Sequence, residues 1–320
     1  MNFQLSFKPE KFPEPIRHNH RILMMGSCFT ENIGNRLSTL KFQALQNPNG
    51  ILYDPVSITN SLVSYIEQKV YQPSDLILLN DLWQSWQHHG SFSGVDETEV
   101  LNNINASQKN ATEFLKTADW VFITLGSAFS YSLVETGTSV ANCHKAPAKS
   151  FNKHLLSIEE IKSVLDTCIH RLFHFNPSLR IIFTISPVRY IRDGLVENNL
   201  SKSRLIEVVQ HLVKKFSKLY YFPAYELVID VLRDYRFYKE DMVHPSDQAI
   251  DFVFEAFSSA CFDEQTMELV EEIDKINTAI NHRPLHPDTP AHQIFKQNLL
   301  IKIKALQTKY PNLDFSTELS

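Results

Sequence analysis

Five short, mostly apolar runs recur along the chain, at residues 21–25 (Arg-Ile-Leu-Met-Met), 42–45, 121–125 (Val-Phe-Ile-Thr-Leu), 180–186 (Arg-Ile-Ile-Phe-Thr-Ile-Ser) and 219–222. Runs this short, without alternating polar residues, are strands buried on both faces. Stretches of helical periodicity separate them. After Gly26, the residues Phe29, Ile33, Leu37 and Leu40 are spaced four, four and three apart, one face of a helix. Further helices are expected from Pro55 to about Val70 and from Glu97 to Lys116. Ser157-Ile158-Glu159-Glu160 is a capping box, and the helix it opens turns Ile161, Val164, Leu165, Cys168 and Leu172 inward. Ser201 is expected to start the next helix, with Leu205, Val208, Val209, Leu212 and Phe216 inward. A short helix near Tyr225 to Asp234 and one presenting Ile250, Val253, Phe254 and Phe257 complete the series. Strands alternating with helices predict an α/β domain: a parallel sheet with helices on both faces.

Composition narrows the partners. Net charge is −5 and no run of Lys/Arg occurs, so neither nucleic acid nor a membrane surface is an expected partner. No stretch approaches the ~18 apolar residues of a transmembrane helix, and the first eight residues lack a charged segment followed by an apolar one. A cytoplasmic location is the expectation. Cys28, Cys143, Cys168 and Cys261 are widely spaced with no CxxC pair, which fits reduced thiols and neither a disulfide frame nor a metal site. No cofactor is implied. Only eight glycines occur in 320 residues, and Gly26, Gly50 and Gly126 adjoin strand ends, where α/β folds place their chemistry.

Ser27 stands between a strand with its glycine and a helix, so its hydroxyl would emerge at the carboxyl edge of the sheet beside free helix N–H groups. The same position suits a serine that only caps the helix. A nucleophilic serine needs a base, and the base needs a partner that fixes its tautomer. Asp241, three residues before His244, offers such a pair just ahead of a helix. Its alternative is a surface carboxylate and a helix-entry histidine. Cys28 reads as a small hydrophobe packed under its helix, with a thiol nucleophile as the alternative. Residues 71–97 lack clean periodicity and read as a long excursion. Its Trp83, Trp86, His88 and His89 fit a wall that stacks on sugar rings, or equally a loop packed by its own aromatics.

Six segments, in order, carry a resemblance: Gly26-Ser27-Cys28-Phe29, Asn47-Pro48-Asn49-Gly50, Leu125-Gly126-Ser127-Ala128, Asn142-Cys143-His144-Lys145, Ser186-Pro187-Val188-Arg189, and Asp241-Met242-Val243-His244-Pro245-Ser246. Together, across about residues 20 to 260, they resemble the GSCFA domain family, related to SGNH (GDSL-type) hydrolases. The resemblance implies a three-layer, flavodoxin-like fold and ester hydrolysis on a small-molecule or glycan ester. Ser27 matches the nucleophile, Asp241 and His244 the final block, and Ser27, Gly50 and Gly126 the oxyanion hole. One departure matters. The third block of SGNH enzymes reads Gly-x-Asn-Asp, and its Asn donates to the oxyanion, whereas this chain has Gly126-Ser127-Ala128-Phe129. Asn142, His144 and Arg189 are the candidates to replace that donor or bind substrate, with His88, His89 and Trp86 as further substrate contacts. Residues 1–261 are read as this domain and 262–320 as a C-terminal extension. In the extension, Glu268, Glu271, Glu272 and Asp274, a proline-rich turn at 282–287 and the apolar 294–306 suggest two helices.

Overall fold

The five apolar runs pair as parallel neighbours. In the computed structural model, which describes residues 5–282, 285, 286 and 288–316, they form one sheet. In chain order the elements are β1 (Arg21–Gly26), α1 (Cys28–Thr39), β2 (Gln43–Gln46), α2 (Pro55–Ile66), β3 (Ile77–Leu79), β4 (Leu82–Gln84), α3 (Glu97–Lys116), β5 (Trp120–Leu125), β6 (Phe129–Leu133), β7 (Ser139–Val140) and β8 (Phe151–Leu155). There follow α4 (Ile158–Phe175), β9 (Arg180–Ile185), α5 (Leu195–Lys215), β10 (Leu219–Tyr221), α6 (Ala224–Glu226), α7 (Asp247–Cys261), α8 (Glu264–Asn281) and α9 (Pro290–Lys309). The sheet order is β2-β1-β5-β9-β10, every pair parallel, with Gly26 opposite Thr124 and Thr124 opposite Thr184. This is the flavodoxin-like order.

Alternation along each strand divides the core. Ile22, Met24, Trp120, Phe122 and Ile182 face a layer of α1 and α7, and α8 and α9 add Leu269, Ile273, Ile303 and Leu306 to the same cluster. Leu23, Met25, Val121, Ile123, Ile181 and Phe183 face α2, α3, α4 and α5. The two clusters are the outer spaces of a three-layer sandwich. The chain leaves β1 through α1 to β2 on one side and returns past β1 to β5, so the strand order reverses between β1 and β5. At such a switch point the connecting loops part and leave a crevice at the carboxyl ends of the strands.

Several local expectations are corrected. The helix expected at Ser201 begins at Leu195, and Ser201 lies in its second turn, where its Oγ accepts from the Ala128 N–H at 2.7 Å. The helix after Pro55 stops at Ile66. The one expected at 225–234 is a three-residue turn, α6, running into a π-turn at Leu227–Val231. The segment after β5, to which no element is assigned above, forms a small antiparallel sheet: β6 pairs with β7 and β8, and Phe129, Tyr131 and Leu133 alternate with serines at the strand period. Residues 71–97 fold on themselves. β3 and β4 form a hairpin through Asn80 and Asp81, both at positive φ as a two-residue hairpin turn requires, and Tyr71, Leu76, Val100 and Ile104 make a satellite core beneath. Two helices follow residue 262, but Arg283, Pro284 and Pro287 of the turn between them lie outside the described residues. Among the described residues no helix is long and apolar enough to cross a membrane.

Candidate active site

β1 ends at Gly26, with φ +137°, where a Cβ would stand 2.2 Å from the Thr124 carbonyl oxygen. Only glycine lets the chain turn out of the sheet so close to β5. Ser27 follows as the N-cap of α1, its Oγ accepting from the Phe29 N–H at 3.3 Å and its carbonyl from the Thr30 N–H at 2.8 Å. The capping role foreseen for Ser27 is therefore present. Ser27 is 1% exposed and sits beside Gly126 and Tyr53: a Cβ built on Gly126 would lie 3.4 Å from the Ser27 Cβ and 3.2 Å from the Tyr53 ring. From the end of β2, Asn47 Oδ1 accepts the Gly26 N–H at 2.9 Å, while its buried Nδ2 has no partner. Cys28 is half-buried against this corner and does not sit under α1 as expected. Burial raises its thiol, which keeps it protonated.

The three expected oxyanion donors are all engaged. The Ser27 N–H donates to Thr124 O at 3.3 Å, the Gly50 N–H to Asn47 O at 2.7 Å, and the Gly126 N–H to Tyr53 O at 2.8 Å. Gly50, at φ +75°, lies against His89, whose Cβ would be 2.2 Å from a Cβ on Gly50. Ala128 does not face the crevice. It is fully buried in the core on the α2 to α5 side. Ala128→Asn is therefore expected to overpack the core and bury an unpartnered amide, costing about 2 to 4 kcal/mol. Denaturant unfolding checks this: a lower midpoint without increased turnover is expected, and a gain in turnover at unchanged stability would place the residue in the site after all.

After β10 the chain makes a tight turn closed by the Tyr238–Pro245 bridge. Asp241 organises it. Oδ1 accepts the N–H groups of Val243 and His244 at 2.9 and 3.0 Å, and Oδ2 accepts a hydrogen bond from His244 Nδ1 at 2.6 Å. These bonds hold the Asp241 carboxyl down at about 2, so it stays an anion that can only accept. An acceptor on Nδ1 fixes that nitrogen as the protonated one and leaves the lone pair on Nε2. The imidazole is 43% exposed at this edge, and no hydrogen bond joins it to Ser27 among the described residues. The structure thus pairs Asp241 with His244 and leaves Ser27 on its cap.

The remaining candidates do other work. Arg189 donates from its backbone N–H to Val243 O at 3.4 Å and from its guanidinium to Met242 O at 3.2 Å, and lies over the Tyr238 ring at 4.2 Å. It fastens the Asp241–His244 turn to the end of β9 and is not aimed at Ser27. His144 is buried, with Nε2 2.8 Å from Ser85 O, and Trp86 packs on its ring and on Phe151. Asn142 Oδ1 caps the His144 N–H at 2.9 Å. His88 is 1% exposed, bonded to Ser85 Oγ and packed against Tyr71 and Phe92, and burial pushes its imidazole down to about 3. This is the loop packed by its own aromatics. His89 stays half-buried beside Gly50.

Lys202 was missed from the sequence. It is fully buried on α5 and donates to Gly126 O at 2.6 Å and Ser186 O at 2.7 Å. Its signal was there: Lys202, Leu205 and Val209 stand at i, i+3 and i+7, so a lysine occupies the apolar stripe. No group of three or more His, Cys, Asp or Glu among the described residues could hold a metal.

A doubly wound parallel sheet with an Asp-x-x-His turn at its carboxyl edge and a serine capping the first helix defines the class. The chain belongs to the GSCFA family, whose model matches residues 21–257, and a model described as the C-terminal domain of GSCFA domain proteins matches residues 273–320. Comparison with curated proteins finds no match. Among solved structures, an acetyl xylan esterase (Est2A) from the rumen bacterium Butyrivibrio proteoclasticus is similar at 11% identity and a TM-score of 0.37, over 77% of this chain and 64% of that one.

Proposed function

We propose that the protein is a serine esterase that removes an O-acyl group, an acetyl in our reading, from a carbohydrate or other small polar acceptor. One observation carries this reading: the Asp241–His244 pair, its Nδ1 bonded to the carboxylate, is fastened through Arg189 to the chain leaving the carboxyl end of β9, and Ser27 follows the carboxyl end of β1 in the same parallel sheet. Ser27 Oγ attacks the acyl carbon as His244 Nε2 takes its proton, and the bond from the acyl carbon to the acceptor oxygen then breaks as His244 gives that proton to the leaving alcohol. Neutral again, His244 deprotonates a water that attacks the acyl-enzyme, and it returns the proton to Ser27 Oγ as the free acid departs. The Ser27–His244 contact would close as substrate enters, since catalytic hydrogen bonds are often long before binding. Residues 1–261 carry this chemistry, and the extension from 262 onward contributes α8 and α9, which share the α1/α7 core.

Purified protein is expected to hydrolyse an activated acetyl ester, and Cys28→Ala to keep most of that turnover. Loss of turnover in Cys28→Ala would move the nucleophile to the thiol. An added polyol that diverts the acetyl group from water would make the enzyme a transferase with the same residues. A second reading, a glycan- or partner-binding module on the same scaffold, is favoured by the engagement of the three candidate oxyanion N–H groups with backbone carbonyls. Absent turnover with retained binding of acetylated oligosaccharides would select it.

A further inference from the structure

We propose that Lys202 is a positioning residue of this site: its buried amine ties the carboxyl ends of β5 and β9 together and, through Gly126 and Ser127, holds the Tyr53 segment beside Ser27. The catalytic part of this proposal rests on the serine esterase reading.

Core packing does not explain a lysine here. The buried face of α5 is polar in its first two turns, with Asn198, Ser201 and Lys202, and apolar beyond, with Leu205, Val208, Val209 and Leu212, and no carboxylate pairs with Lys202 among the described residues. An unpaired ammonium removed from water is costly, and an apolar residue of similar length would avoid that cost. What the amine obtains is two backbone carbonyls, both on residues leaving the sheet: Gly126 after β5 and Ser186 after β9. The next link lies in the backbone. The N–H groups of Gly126 and Ser127 both donate to the Tyr53 carbonyl, at 2.8 and 3.0 Å. The Gly126 carbonyl that accepts from Lys202 belongs to the same peptide as the Ser127 N–H. A charged donor on that carbonyl polarises the peptide and strengthens its N–H as a donor to Tyr53. Ser186, Lys202, Gly126, Ser127 and Tyr53 thus form one hydrogen-bonded chain, ending at Gly126, where a Cβ would meet both Tyr53 at 3.2 Å and Ser27 at 3.4 Å.

The protonation state of the amine sets how tightly this chain is held. Burial lowers Lys202 to about 7. The titratable group facing it is Cys28 on α1, with Glu31 and Tyr53 beyond, and β5 and β9 present backbone carbonyls. Burial raises Cys28, and raises Tyr53 to about 12, so neither titrates near neutrality. The neutral amine keeps two N–H donors but loses charge assistance.

The test uses the full chain and Lys202→Met, which keeps an unbranched stem. In the unmutated protein, the amide resonances of Gly126 and Ser127 should follow a single ionisation near pH 7, and in Lys202→Met that ionisation should vanish. Hydrogen exchange at Gly126 and Ser127 should quicken at least about 10-fold in the variant, with the amides of residues 121–124 unchanged. On an activated acetyl ester, kcat should fall about 10- to 100-fold with KM within about 3-fold, and the alkaline limb of the pH profile should disappear. Thermal stability should be equal or higher. Unaltered exchange at Gly126 and Ser127, or wild-type kcat with an intact alkaline limb, overturns the proposal. Should the variant not fold, the titration of the two amides in the native protein decides, and amides that ignore an ionisation near pH 7 overturn it. Quickened exchange in a protein that hydrolyses no ester upholds the tie but overturns the esterase reading.

Discussion

Ser27→Ala is expected to lower turnover of an activated acetyl ester at least about 10³-fold while the protein remains folded, because the substitution removes the only atom assigned to attack the acyl carbon. The same hydroxyl caps α1, so stability falls too. That effect is modest: losing an N-cap costs about 1 kcal/mol, and the bond to Phe29 is long at 3.3 Å. The two roles separate cleanly, since a cap alone predicts a lower melting temperature with turnover kept in the folded fraction. Parallel melts and initial rates on wild type and Ser27→Ala measure both. A variant that melts lower yet keeps a tenth or more of wild-type turnover would leave Ser27 as a cap only.

The sheet was legible because strands buried on both faces leave mostly apolar runs without alternation, and β1, β5 and β9 are such runs. The capping box at Ser157 was legible because its partners are three residues apart, and the structure has both its bonds. Elements under weaker constraint were not. β6 and β8 are short, half-buried strands, and the alternation of Phe129, Tyr131 and Leu133 with serine spans only five residues. At the site, the Asp241–His244 pair could be read because a three-residue turn brings both side chains together locally. Arg189 and Lys202 could not be placed that way. Arg189 acts on a carbonyl 53 residues away in sequence and Lys202 on carbonyls 76 and 16 residues away, and a carbonyl leaves no mark in a sequence. Arg189 was recognised as part of a motif but not as the clamp on the His244 turn. A helix beginning at Ser201 puts Lys202 at its first position, outside the apolar stripe, whereas the actual start at Leu195 puts it on the buried face.

His244→Gln and Asp241→Asn are expected to cost as much as Ser27→Ala to within about tenfold, and the pH profile assigns the cause. The base must be neutral to accept the serine proton, so wild-type activity should fall on acidification. Two carboxyls compete for that limb. Asp241 is held at about 2 by the N–H groups of His244 and Val243 and by the imidazole, so it remains charged through the range in which a histidine protonates. Asp54, the buried N-cap of α2, is pushed up to about 6 by burial despite its bonds to the N–H groups of Val56 and Ser57. Their effects on stability run in opposite directions. Between about pH 4 and 6 the native state binds more protons at Asp54 than the unfolded chain does, so that contribution to stability grows on acidification. The Asp241 contribution is present above about pH 4 and lost only as pH falls toward 2. Activity lost between pH 7 and 4 is therefore not unfolding driven by either group. Asp54→Asn, which preserves a capping side chain, should retain the limb, and the residual activity of His244→Gln should lack it. A limb absent from Asp54→Asn and intact in His244→Gln would transfer the titration to the α2 cap and remove His244 as the base.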